Sequence, residues 1–240
     1  MSPSDFNNKL VAFVRSYVTL PSVKQYFVKS EIGSFVHNND LNHVFASGGL
    51  PTPDERSVCL VKHEFESAES FAQIYHQAMN DADLLELQLG PKAEELEYNS
   101  SKNLLFASRH HVDHESSSAT PTGSKKAFIG FFGPLRNTAA MKGEAAVLLG
   151  LPAWRDHVVR HTLCWSMNDE AVELALAPLG RSAKLDEPLM LAINELKDDD
   201  SVHKIFGDAA VQSELERINQ MHVLTGSQSH RFAADVVVLV

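Results

Sequence analysis

Residues 153–165 read AWRDHVVRHTLCW. Whether this stretch coils or extends decides how much of the chain is left to build a sheet. Pro152 stands just ahead of it, a residue suited to the first turn of a helix, and the spacing predicts a helix through the dozen residues that follow. On that helix Trp154, Val158, Thr162 and Trp165 form the core stripe. His157, His161 and Cys164 fall at i, i+4 and i+7 and share a face beside it. Read this way, the second half of the chain is mainly helical and the sheet must come from elsewhere.

Working outward, more helices are predicted on both sides. Residues 137–149 form one, Ala171 to Leu179 another that ends at Gly180, and Pro188 opens a third that stops before Asp198-Asp199-Asp200. Asp208 caps a further helix carrying Val211, Leu215, Ile218 and Met221. The first fifty residues also read as helical. Ser4 caps a stripe of Phe6, Leu10, Phe13, Val14 and Tyr17, Pro21 opens a second helix with Val23, Tyr26 and Phe27, and a short one runs from Asp40 to Phe45. Gly48-Gly49 and the Pro51/Pro53 pair end this region. Strands are expected at 57–65, 103–111 and 126–132, with the apolar end RFAADVVVLV, 231–240, as a fourth. A helix capped by Ser67 lies between the first two, and 115–124 is a polar loop.

The fold class expected is therefore α+β, with a small, mainly antiparallel sheet and N-terminal and C-terminal helices. The order strand, helix, strand, strand over 57–165 suits a ferredoxin-like core. Two organisations fit: a helical segment 1–50 ahead of a domain 51–240, or a single domain 1–240. The segment LPAWRDHV, 151–158, resembles the second-helix region of the dimeric α/β-barrel families, which include stress-response barrel domains and cofactor-free polyketide cyclases. It carries no diagnostic residue and does not amount to membership.

The 240 residues carry 31 acidic and 21 basic side chains, a net charge of −10, with no segregated basic patch. Nucleic-acid and anionic-membrane partners are therefore not expected. No apolar run reaches the length of a membrane span, and residues 1–20 lack the basic start of a secretory signal. Two cysteines exclude a disulfide framework. The expected setting is cytoplasmic, where the sequon Asn99-Ser100-Ser101 goes unglycosylated.

Two histidine clusters carry what chemistry the sequence offers. The stretch 109–118 is RHHVDHESSS. Strand alternation puts His111 and Asp113 on one side, with His110 and His114 on the other. A His-Asp pair at i, i+2 can work as an acid–base dyad, because the carboxylate holds one tautomer and raises the imidazole pKa. The alternative is a solvated loop entrance. The second cluster, His157 and His161, has metal-capable spacing but Val158 where a zinc protease has glutamate. Its alternative is a helix with histidines at the border of its core stripe. A third grouping, Arg109, Arg136 and Lys142, could cradle an anion. Phosphate-loop, dinucleotide and serine-hydrolase motifs are absent from the sequence.

The leading expectation is a small-molecule enzyme that uses no organic cofactor: a lyase, isomerase or cyclase, with His110, His111, Asp113, His157 and His161 in acid–base roles. The alternatives are a non-catalytic assembly, scaffold or viral structural protein that forms a homo-oligomer, and a metalloprotein holding a divalent metal on the same histidines.

Overall fold

The computed structural model describes residues 3–36, 59–78, 80–83, 86, 104–116, 124–133, 138–225 and 228–240. The Asp40–Phe45 helix, the Gly48-Gly49 and Pro51/Pro53 stops, the sequon and most of the 115–124 loop lie outside these residues. In chain order the elements are α1 (Pro3–Val18), β1 (Phe27–Phe35), β2 (Cys59–Phe65), α2 (Ala68–Ala78), β3 (Ala107–Glu115), β4 (Ser124–Gly133), α3 (Thr138–Gly150), α4 (Pro152–His157), β5 (Val158–Met167), α5 (Glu170–Leu176), β6 (Met190–Leu196), α6 (Ser201–Phe206), α7 (Ala209–Thr225) and β7 (Gln228–Val238). The seven strands form one antiparallel sheet in the order β2-β1-β7-β4-β6-β5-β3. The fold is α+β as expected, but its sheet is not small. No helix among the described residues is long and apolar enough to cross a membrane.

The extra strands come from stretches that read as helix. Pro152 does open a helix, yet α4 stops at His157 and the chain extends through Val158–Met167. Val158, Val159 and Thr162 are β-branched and lose rotamer freedom in a helix, which favours extension. β5 lies between β6 and β3, and from Val158 to Cys164 all but Arg160 are buried. A strand covered on both faces shows no polar alternation, so its pattern passes for a helical one. The same holds for β6, MLAINEL, buried at every position. There Pro188 precedes a strand instead of opening a helix. Pro21 likewise leads into a short 3-10 turn, Lys24–Tyr26, and then β1, which is inserted between β2 and β7.

Other elements form where their local signals lie. Ser67 Oγ accepts from Ser70 N at 3.1 Å at the start of α2. Asp208 Oδ1 accepts from Val211 N at 3.0 Å at the start of α7. Gly180, with φ of 66°, adopts the left-handed backbone that ends the turn after α5.

The sheet has a helix-covered outer face and a curled inner one. On the outer face, Phe128 and Ala233 pack with Trp154 of α4, Val202 and Phe206 of α6 and Leu215 of α7. Farther along, Ile32 and Val61 pack under Val14 and Val18 of α1. The inner face gathers Ile129, Cys164, Leu191, Ile193 and Val236, and it draws in Leu60 from edge strand β2 and Phe106 from just ahead of edge strand β3. Contributions from both edges to one cluster are what a curled sheet requires. At one end of the inner face six charges interlock. Lys125 Nζ lies 2.7 Å from Glu31 Oε1 and 2.5 Å from Glu195 Oε1. Lys29 reaches Glu31 at 2.8 Å, and Lys62 contacts both Glu31 and Glu64.

One buried group on the outer face gives the fold a measurable pH dependence. His63 sits among the rings of Tyr17, Phe27 and Phe65, with its Nδ1 3.0 Å from Ser30 Oγ. Burial drops its pKa to about 4. The unfolded chain therefore takes up this proton near pH 6.5 while the folded chain resists until about pH 4, and stability falls as pH falls through that window. The loss expected from this ring is about 3 kcal/mol. Urea unfolding from pH 7 to 4.5 should show the slope, and His63→Gln should remove this ring's share. A ring that titrates near 6.5 by NMR in the folded protein contradicts the expectation.

Candidate active site

Strand β3 runs along one edge of the sheet, and its outer side meets α3 and α4 across an open cleft of about 650 Å³. Arg109, His110, His111, Asp113 and His114 line it from the strand, Arg155 from α4, and Leu163 and Trp165 from β5. The His111 side chain is 72 % exposed.

What focuses the site is an irregularity in pairing. Val112 pairs with Thr162 and His114 with His161, so Asp113 is an extra residue in β3 that faces no partner. Such a bulge bends the strand locally and re-aims the side chain. Asp113 Oδ1 then lies 3.2 Å from His111 Nε2, while Oδ2 lies 3.8 Å from His161 Nε2. One carboxylate thus stands between an exposed imidazole and a buried one.

The buried ring has a defined tautomer. Asn194 Nδ2 donates to the Phe128 carbonyl at 3.1 Å, which turns its Oδ1 towards His161 Nδ1, 2.5 Å away. An amide oxygen only accepts, so Nδ1 carries the hydrogen and Nε2 presents a lone pair towards Asp113. His161 is 4 % exposed. Burial pushes its pKa down, opposed by the Asn194 hydrogen bond and the charge of Asp113 and assisted by His114. Burial favours the neutral ring, and the Asp113 charge lies beside its Nε2.

The structure distributes the sequence candidates as follows. His110, His111 and Asp113 all line the cleft, well inside β3 and not at a loop entrance. His161 touches Asp113 from the neighbouring strand. His157 ends α4 and lines neither the cleft nor the space beside it, and its Nδ1 is buried without a hydrogen-bond partner. His157, His161 and Cys164 do not share a helical face, because the helix ends before His161. Of the anion-cradle group, Arg109 lines the cleft, while Arg136 and the side chain of Lys142 lie outside the described residues. No group of three or more metal-ligating side chains is assembled among the described residues. Asn194, the orienting partner of His161, was not singled out from the sequence. Its signal was there: a polar amide in the middle of the apolar run MLAINEL has to be hydrogen-bonded if the run is a buried strand.

No protein-family model, curated protein or solved structure matches this chain.

Proposed function

We propose that the cleft along β3 is the active site of an enzyme that moves protons on a small carbonyl compound without an organic cofactor, as in isomerase, lyase or cyclase chemistry. The observation that carries this reading is the position of Asp113, 3.2 Å from the exposed His111 and 3.8 Å from the buried His161. With its Nε2–H directed at Asp113, His111 keeps Nδ1 as the base that faces the cleft. It removes a proton from the carbon beside the carbonyl. The C–H bond breaks, an N–H bond forms, and the electron pair moves onto the carbonyl oxygen as an enolate. Arg109 and Arg155 supply positive charge to the same cleft, which favours that oxyanion. Asp113 stabilises the imidazolium and connects it to His161, a second proton acceptor screened from solvent.

The test is proton exchange. A panel of 2-oxo and 3-oxo carboxylates in deuterated water, followed by NMR, should show deuterium entering the carbon beside the carbonyl when the protein is present. His111→Ala should return the rate to background. If no member of the panel exchanges faster with the wild-type chain than with His111→Ala, the reading fails.

A further inference from the structure

Beside the cleft lies a second, smaller space of about 40 Å³ between the outer sheet face and α3, α4 and α7. Leu163 lines both spaces. The inner chamber is walled mainly by Phe128, Phe132, Leu148, Met190 and Leu215. Its one acidic side chain, Glu144, is paired with Arg217. Glu144, Asn194, Trp154 and His161 bring polar atoms into the apolar lining. Trp154 Nε1 and His161 Nε2 are both buried without a hydrogen-bond partner, on residues only 3 % and 4 % exposed. One is a donor, and the other, by the Asn194 contact, is an acceptor. Leaving such a pair unmet among mainly apolar side chains is unfavourable.

A hydroxyl resolves this, because a single oxygen can accept from an indole N–H and donate to an imidazole nitrogen. Size sets the rest. At roughly 10–15 Å³ of such volume per water-sized sphere, the chamber holds about three non-hydrogen atoms. The cleft outside offers Arg109 and Arg155, which suit a carboxylate.

We infer that the carbonyl compound this site takes is a short-chain oxo carboxylate that also bears a hydroxyl: its carboxylate in the cleft between the two arginines, its short tail past Leu163, and its hydroxyl in the chamber between Trp154 and His161. The inference rests on the cleft being the reactive site. It adds the class of molecule and the direction in which that molecule lies.

The chain's two tryptophans separate the two claims, since Trp165 lines the cleft and Trp154 the chamber. Protein labelled with 5-fluorotryptophan gives one fluorine resonance from each, assigned with Trp165→Phe. Titration with acetate should shift Trp165 alone. 4-Hydroxybutyrate should shift both, and it should bind about tenfold more tightly than butyrate, the value of one net hydrogen bond. If 4-hydroxybutyrate moves only Trp165, or binds no better than butyrate, the chamber assignment is overturned and the cleft stands. If neither resonance moves with any of the three acids, the cleft as an anion site falls, and this inference with it.

Discussion

Asp113→Asn should slow the proton exchange by about 10²–10⁴-fold, the usual share of a general acid–base group, while leaving the fold intact. Asparagine fits the same space. Its oxygen can still accept from His111 Nε2, so the contact on the exposed side is kept. What it cannot do is carry a proton or offset the charge on an imidazolium. The charge of Asp113 opposes the burial of His161, so without it that ring resists protonation further, and its NMR titration should move to lower pH. A role in packing alone would change neither the titration nor the pH profile of exchange. Adding His161→Gln to Asp113→Asn should cost little more than Asp113→Asn by itself, because the two act as a unit. Additive losses, or an Asp113→Asn protein that exchanges at the wild-type rate, would contradict the relay.

The second large effect belongs to stability. Lys125→Met should lower the free energy of unfolding by about 3–5 kcal/mol at pH 7, the cost of removing one member of a buried ionic cluster. Among the described residues, Lys125 is the side chain that contacts both Glu31 and Glu195. Burial acts to lower its pKa, but hydrogen bonds from Nζ to Glu195 and Glu31 outweigh it and raise the value. Glu31 mirrors this. Burial acts to raise its carboxyl, and Lys125 and Lys29 together hold it below the ordinary range. The signs follow. The contribution from Glu31 is present above the unfolded carboxylate pKa and is lost as pH falls through the folded value. The contribution from Lys125 is present below the ordinary lysine pKa and is lost as pH rises through the folded one. Both are fully in place at pH 7. In the variant Glu31 loses a contact that holds its carboxyl down, so the gap to wild type should narrow between pH 7 and pH 4.5 in urea titrations. A loss under 1 kcal/mol at pH 7 would mean the cluster is solvated in a way the geometry does not indicate.

Much of the fold was legible where a stripe, a cap or a short β-rich run stands in the local sequence, even in β4, which is buried on both faces. α1, α2 and α7 showed their stripes, α2 and α7 their caps at Ser67 and Asp208, and β2, β4 and β7 showed short β-rich runs, while Ser4, expected as the cap of α1, lies inside that helix. The misreadings share a cause. β5 and β6 are covered on both sides by core, and β1 follows a proline that suits a helix start equally well. A buried central strand has no polar side to reveal its period, and His157 at the end of α4 with His161 and Cys164 in β5 coincides with a helical repeat. The site was legible in the same uneven way. The i, i+2 spacing put His111 beside Asp113. Nothing in one strand's sequence could show that Asp113 is unpaired, or that His161 lies across from it, since both depend on the register with β5 and hence on a stretch read as helix.

The unpaired residue in β3 has a consequence for how such a site could arise. Dropping Asp113 altogether would leave Val112 facing inward and His114 outward in ordinary alternation opposite Thr162 and His161. One added codon is therefore enough to turn a plain edge strand into one that reaches across to its neighbour, with every flanking side chain kept on its present face. The carboxylate is defined by a length difference, and the ancestor of this cleft need have differed from it by a single insertion.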